Sequence, residues 1–229
     1  MQLIHLRGIS LVELLLSLTL GLIITAAASH LFSAIARSRM TSISRQHLHQ
    51  ELETLLNRIS RDLRRSGHAG HNAFGDLLQA HNPFFIDHYG QTLLSLHDIE
   101  NKDQDSNSYD CILLAYDANE NGLDDGNDER FGYRFTENTV KIRSGGGNCQ
   151  QSGWIRISDD QTLSITRLSF RPLRYTTGLN DDWIRCSILI ELEAAVLTHP
   201  EQSLQLAQWV TLPNRFRAPL GSSGQAWCQ

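Results

Sequence analysis

The apolar positions of this chain are concentrated at its start. Ile9 to Ala28 is a run of 20 residues in which Glu13 is the sole charge. Wound as a helix at about 1.5 Å per residue, it extends roughly 30 Å, the thickness of a bilayer core. Nothing between Ala28 and Gly67 breaks a helix. Over that stretch Leu48, Leu52, Leu55, Leu56, Ile59 and Leu63 recur mostly at steps of three and four, with Glu51, Glu53, Arg58, Arg61, Arg64 and Arg65 around them. The pattern predicts one helix from Ile9 to Arg65, apolar all round in its first part and one-sided in its second. Ser66-Gly67, followed by His68-Ala69-Gly70, marks its end.

From Tyr109 the period changes to two. Cys111 to Tyr116 is a short apolar run suited to a buried strand. Phe131, Tyr133 and Phe135 alternate with polar residues, and Val140 and Ile142 do so again after Glu137-Asn138, which predicts a hairpin. Trp154 to Ile157, Leu163 to Phe170 and Leu204 to Leu212 are further strands. The cleanest is Ile184, Cys186, Ile188, Ile190 and Leu192 on one face. Gly70 to Ser108 reads as loop with short pieces of structure. The expected class is α+β, an antiparallel β-sheet head packed on the second half of a long helix.

Composition adds a compartment. Among 229 residues there are four cysteines, Cys111, Cys149, Cys186 and Cys228, without a C-x-x-C pair. This favours disulfides over zinc and an oxidising location such as the periplasm. Three pairings are possible, and Cys111–Cys149 with Cys186–Cys228 is the one favoured. The net charge of −5 gives no general attraction to nucleic acid. The helix arginines have no interleaved aromatics, so they read as a solvated or subunit-contacting face.

Catalytic patterns are not found. His47-x-His49 and His68-x-x-His71 lack a third ligand, and Gly221-Ser222-Ser223-Gly224 lacks the strand–turn–helix setting of a nucleophile elbow. The chain reads as a structural subunit and not an enzyme.

The acid in the apolar run separates three readings of the N-terminus: a cleaved secretory signal, a plain anchor, and a short leader removed ahead of a retained helix. A carboxylate there costs roughly 2.5 kcal/mol or more on insertion scales, so it needs a partner. Cleavage after Gly8 leaves Ile9 with a free α-amino group, which titrates near ~8 and is cationic at neutral pH. Glu13 is then five residues into the mature chain, placed to meet a neighbour's amine when helices stack in parallel. Arg37 and Arg39 beyond the run weigh mildly against the head lying outside.

Gly8-Ile9-Ser10-Leu11-Val12-Glu13 resembles the prepilin processing site of the type IV filament superfamily, although phenylalanine is more usual than Ile9. The resemblance implies cleavage between Gly8 and Ile9 by prepilin peptidase, N-methylation of Ile9, and an assembly role for Glu13. RDLRRSG (61–67), SYDCILLAYDANENG (108–122) and CQQSGW (149–154) resemble minor pilins of the PilW and prepilin peptidase-dependent protein B type. That family implies a pilin-like fold: leader 1–8, transmembrane part 9–28, amphipathic part 29–66 and a periplasmic head 67–229. It also implies partners: other minor pilins, the major pilin and the inner-membrane assembly platform. The function expected is a subunit that initiates or caps a type IV pilus. Alternatives are a pseudopilin J-like subunit of a type II secretion system, or a tip adhesin or DNA-binding pilin.

One loop suggests calcium. In Asp117-Ala118-Asn119-Glu120-Asn121-Gly122-Leu123-Asp124-Asp125-Gly126-Asn127-Asp128, oxygen donors fall at the first, third, fifth, ninth and twelfth positions of an EF-hand-type order, with Gly122 at the sixth. Asp117, Asn119, Asn121, Asp125, Asp128 and the Leu123 carbonyl are the expected ligands of a structural Ca²⁺. Asp128 stands where glutamate is standard, and the flanks read as strands. The competing reading is a metal-free loop rich in Asx and Gly.

Overall fold

The computed structural model describes residues 10–69, 95–97, 108–176, 183–213 and 216–217. It divides the chain into two compact units, Met1–Gln46 and His47–Gln229. Helix α1 covers Leu11–Arg65. In the first unit it includes Leu11–Ala36, 26 residues of mean hydropathy 2.2, long enough to cross a membrane. Its leucines and isoleucines are exposed on every side. Four of the five hydroxyls within the run are turned back on the helix: Ser17, Thr19, Thr25 and Ser33 donate to carbonyls three or four residues earlier at 2.9–3.0 Å. A hydroxyl satisfied in this way can enter lipid without an unpaired donor.

In the second unit the apolar stripe of α1 is buried as its spacing requires. Leu52, Ile59 and Leu63 have no exposed surface, and Leu48, Leu55 and Leu56 join them in one core with the strands. Gly67 ends the helix in the left-handed region at φ 71°, a conformation that suits glycine.

Two antiparallel sheets make up the rest. The first runs in the order β1 (Ser95–His97), β2 (Cys111–Ala115), β3 (Arg130–Thr136), β4 (Thr139–Ser144) and β5 (Ile155–Arg156). The second has β6 (Leu163–Thr176), β7 (Trp183–Val196) and β8 (His199–Thr211) in sequence, with β9 (Phe216–Arg217) also paired to β7. A bridge between Tyr109 and Phe170 joins them. The β3–β4 turn is the two-residue kind the sequence predicts. Glu137 and Asn138 both have positive φ (53° and 56°), and this twist matches that of the flanking strands.

Where strands differ from expectation, the reasons are local. The segment 154–157 contributes only the two-residue β5. Strand β6 continues past Phe170 through Pro172, a residue that normally argues against a strand interior. Phe170 exchanges backbone hydrogen bonds with Tyr109, away from β7. By the alternation of a strand, position 172 turns the same way, so the proline ring removes no β6–β7 bond. Apart from Ser95–His97 and Ser108, the loop expected over 70–108 lies outside the described residues.

Leu52 is fully enclosed, so its truncation leaves a cavity between helix and strands. Leu52→Ala lowers stability by about 2–5 kcal/mol, read as a reduced melting temperature of the full chain in detergent.

Candidate functional site

In the first unit, Glu13 stands in the opening turn of α1 and is exposed, flanked by Val12 and Leu14 at 66% and 52% exposure. A carboxylate in the first turn of a helix is favoured by the helix dipole. The expected cleavage site, Gly8 and Ile9, lies outside the described residues.

In the second unit, the stretches 61–67 and 108–122 are brought together. The Tyr133 hydroxyl donates to Asp62 Oδ2, joining α1 to β3. Tyr116 lies close to Asp62, stacks on Phe131 at 4.4 Å, and carries the Arg65 guanidinium 4.2 Å above its ring. Burial first, and then the charge of Asp62, pushes the Tyr116 phenol up to about 12. Tyr133 is raised as well, by burial and then by its bond to Asp62. Beyond the helix, Gly67 N–H donates to Ala115 O at 2.8 Å and Asp117 N–H to His68 O at 2.9 Å. The helix end is therefore fastened to the strand that leads into the acidic loop.

That loop is held by its own polar groups. Asp117 is buried and its Oδ2 accepts from Gly122 N–H at 2.7 Å. The Asn119 and Asn121 amides both donate to Asp125 Oδ2, at 2.7 and 2.9 Å. Asn121 Oδ1 accepts from Leu123 N–H, and Asp128 is exposed. The residue that the calcium register passes over is Glu129. It is 1% exposed, and its two oxygens accept from Ala118 N–H and Asp125 N–H, closing both ends of the loop. A glutamate one position past the motif, directly before a strand, is the only sequence signal of this. Among the described residues, no three His, Cys, Asp or Glu side chains converge as a metal site.

A second loop lies against the first. The Cys111–Cys149 disulfide ties β2 to the glycine-rich segment after β4. Gly145 and Gly146 donate to Arg130 O, and a Cβ on Gly146 would stand 2.2 Å from Asn127 Oδ1. A side chain there would have to push Asn127 aside, and the φ of 75° at Gly146 favours glycine. Cys186 is disulfide-bonded and buried. Cys228, expected as its partner, lies outside the described residues, as do His71 and the Gly221–Gly224 segment. His49 faces Glu53 at 3.5 Å one turn along α1 and gathers no metal set with His47.

Because folding keeps the two phenols neutral, the stability they add is complete below about pH 10, where free tyrosine ionises. It is lost as pH rises from there through about 12. Asp62→Asn removes the charge that helps raise Tyr116. Tyrosinate absorbance then appears at lower pH than in the wild type, and an unchanged titration would contradict the contact.

Comparison with known proteins agrees with this arrangement. The family described as prepilin peptidase-dependent protein B matches residues 41–212. A prepilin peptidase-dependent protein B of Escherichia coli (strain K12) is 22% identical over 163 residues, covering 69% of this chain and 74% of that relative. No solved structure shows significant similarity. The matched residues include the helix end, both loops and the three long strands, and the chain belongs to the prepilin peptidase-dependent protein B family.

Proposed function

We propose that this chain is a minor pilin, processed after Gly8, that helps initiate or cap a type IV pilus. The observation that carries this is the apolar span Leu11–Ala36, exposed on all sides and with Glu13 as its one charge. Such a surface needs cover from lipid before assembly and from neighbouring helices afterwards. In a filament the Glu13 carboxylate meets the free amine of an adjacent subunit, and apolar helix packing supplies the remaining attraction. Removal of the leader creates that amine, so processing switches the subunit from membrane resident to filament component. The head then lies in the periplasm, and later at the pilus tip, in contact with other minor pilins and the major pilin. Family membership supports the dependence on prepilin peptidase.

The same reading gives the acidic loop a structural calcium ion held by Asp117, Asn119, Asn121, Asp125, Asp128 and the Leu123 carbonyl. The support is the donor set: hard oxygens at successive positions around Gly122, which has a positive φ of 78°. The ion would neutralise a loop whose carboxylates otherwise repel one another.

Two measurements bear on these points. Intact-mass analysis of the chain from cells with prepilin peptidase gives a polypeptide beginning at methylated Ile9, and from cells lacking the enzyme an uncut precursor. A chain beginning at Ser29 would contradict the proposal. Calorimetric titration of the full chain in detergent with calcium gives saturable heat that Asp125→Ala abolishes. Absence of heat from the wild type would remove the ion.

A further inference from the structure

The edges of the two sheets are not protected alike. In the first sheet the edge strands are β1 and β5, of three and two residues. In the second, the outer side of β6 is closed. Phe170 exchanges backbone bonds with Tyr109, Ile165 N–H donates to Asn138 O at 3.0 Å, and Pro172 carries no N–H. Among the described residues β8 is the exception. It runs for 13 residues, and from Gln202 to Thr211 it carries no charge, Pro200 and Glu201 standing only at its start. Short strands, charges and proline are the usual protections of an edge, because unpaired N–H and C=O groups recruit further strands.

Register shows which groups of β8 are free. Leu212 N–H donates to Cys186 O at 2.9 Å, one step beyond the pair Ser187 and Thr211. Bonded and non-bonded positions alternate along an antiparallel pair. Leu206, Gln208 and Val210 therefore bond to β7, and the N–H and C=O groups of Gln205, Ala207 and Trp209 point away from it. Those three residues are exposed, and no hydrogen bond reaches them at that edge among the described residues. The core is also incomplete at this margin. Leu204 and Leu206 are only partly buried, although their partners on β7, Ala194 and Leu192, are fully enclosed. On the other face Trp209 is 53% exposed.

These features specify what covers the edge. Main-chain groups free at alternate positions are satisfied by another extended strand. That strand must be uncharged, and apolar at alternate positions on the core side, to extend the cover over Leu204 and Leu206. Strand β8 itself meets both conditions. We propose that the free edge of β8 pairs antiparallel with β8 of a second copy of this chain, about a two-fold axis at Ala207. Centred there, the overlap takes in all of 203–211. Leu204 of each copy lies beside Val210 of the other, Gln205 lies beside Trp209, and no charge opposes another. An isologous contact of this kind closes the edge in both copies at once. It lies in the head and does not rest on the assembly role.

The test is disulfide trapping of the full chain in membranes of cells lacking prepilin peptidase, so that filament assembly does not contribute. Ala207→Cys sets two thiols in a directly bonded pair, with Cα atoms about 5.5 Å apart, inside the roughly 4.4–6.8 Å that a disulfide spans. Gln205→Cys sets them roughly 13 Å apart along the strands. A covalent dimer from Ala207→Cys and little from Gln205→Cys is expected. Light scattering of the wild-type chain in detergent should give two chains per particle, and Ala207→Pro one. Proline there removes an outward N–H and leaves the bonds to β7 in place. The melting temperature confirms the fold of that variant, and if it fails to fold, the trapping pair carries the same expectation. Single-chain particles of the wild type, no trapping of Ala207→Cys, equal trapping at both positions, or paired chains in folded Ala207→Pro would each overturn the proposal.

Discussion

A helical surface that is apolar on every side has to be covered, and much of this protein follows from how that requirement is met. Among the described residues nothing covers Leu11–Ala36, and most of its exposed side chains are leucine, isoleucine, valine, phenylalanine and alanine. Four hydroxyls in the run, those of Ser17, Thr19, Thr25 and Ser33, are bonded to carbonyls of their own helix. Glu13 is the one Asp, Glu, Lys or Arg of the run, and a carboxylate cannot be neutralised by a backbone carbonyl. A carboxylate in an apolar surface enters lipid only at a cost, which a cation fixed opposite it would offset.

The head solves a different problem with the second part of α1. There the leucine stripe is buried at close to zero exposure, and the helix end is fixed by polar contacts at several points. Asp62 receives the hydroxyl of Tyr133 on β3, with Tyr116, just past β2, close by, and Ser60 Oγ donates to Gln208 Oε1 of β8 at 2.9 Å. The backbone of Gly67 and His68 bonds to the end of β2 and the start of the acidic loop. The disulfide at Cys149 and the contact of Gly146 with Asn127 hold the glycine-rich loop against the acidic one. One end of the first sheet is thus a braced cluster of loops rather than a set of independent turns.

Much of this was legible in the sequence where periodicity carries the information. The helix end at Arg65, the buried stripe, the Glu137-Asn138 hairpin and the inward face of Ile188, Ile190 and Leu192 all follow from spacing that the structure keeps. Strand β1, with three residues, is too short to show a period. Pro172 hides the true length of β6, because its tolerance depends on which way the strand turns that residue. Asp62 and Tyr133 are 71 positions apart, so their bond belongs to tertiary packing alone. A row of cations on the first sheet is similar. Arg134, Lys141 and Arg156 look like scattered surface charges until strand register sets them side by side.

We propose that Glu13 serves assembly rather than anchoring, since the run Leu11–Ala36 is long and apolar enough to cross a membrane without it. The most direct measurement is the fraction of this chain recovered in filaments sheared from cells, compared between wild type and Glu13→Ala. The variant should be cleaved and membrane-bound as before yet absent from the sheared fraction. Recovery in filaments at the wild-type level would show that the carboxylate has no part in assembly.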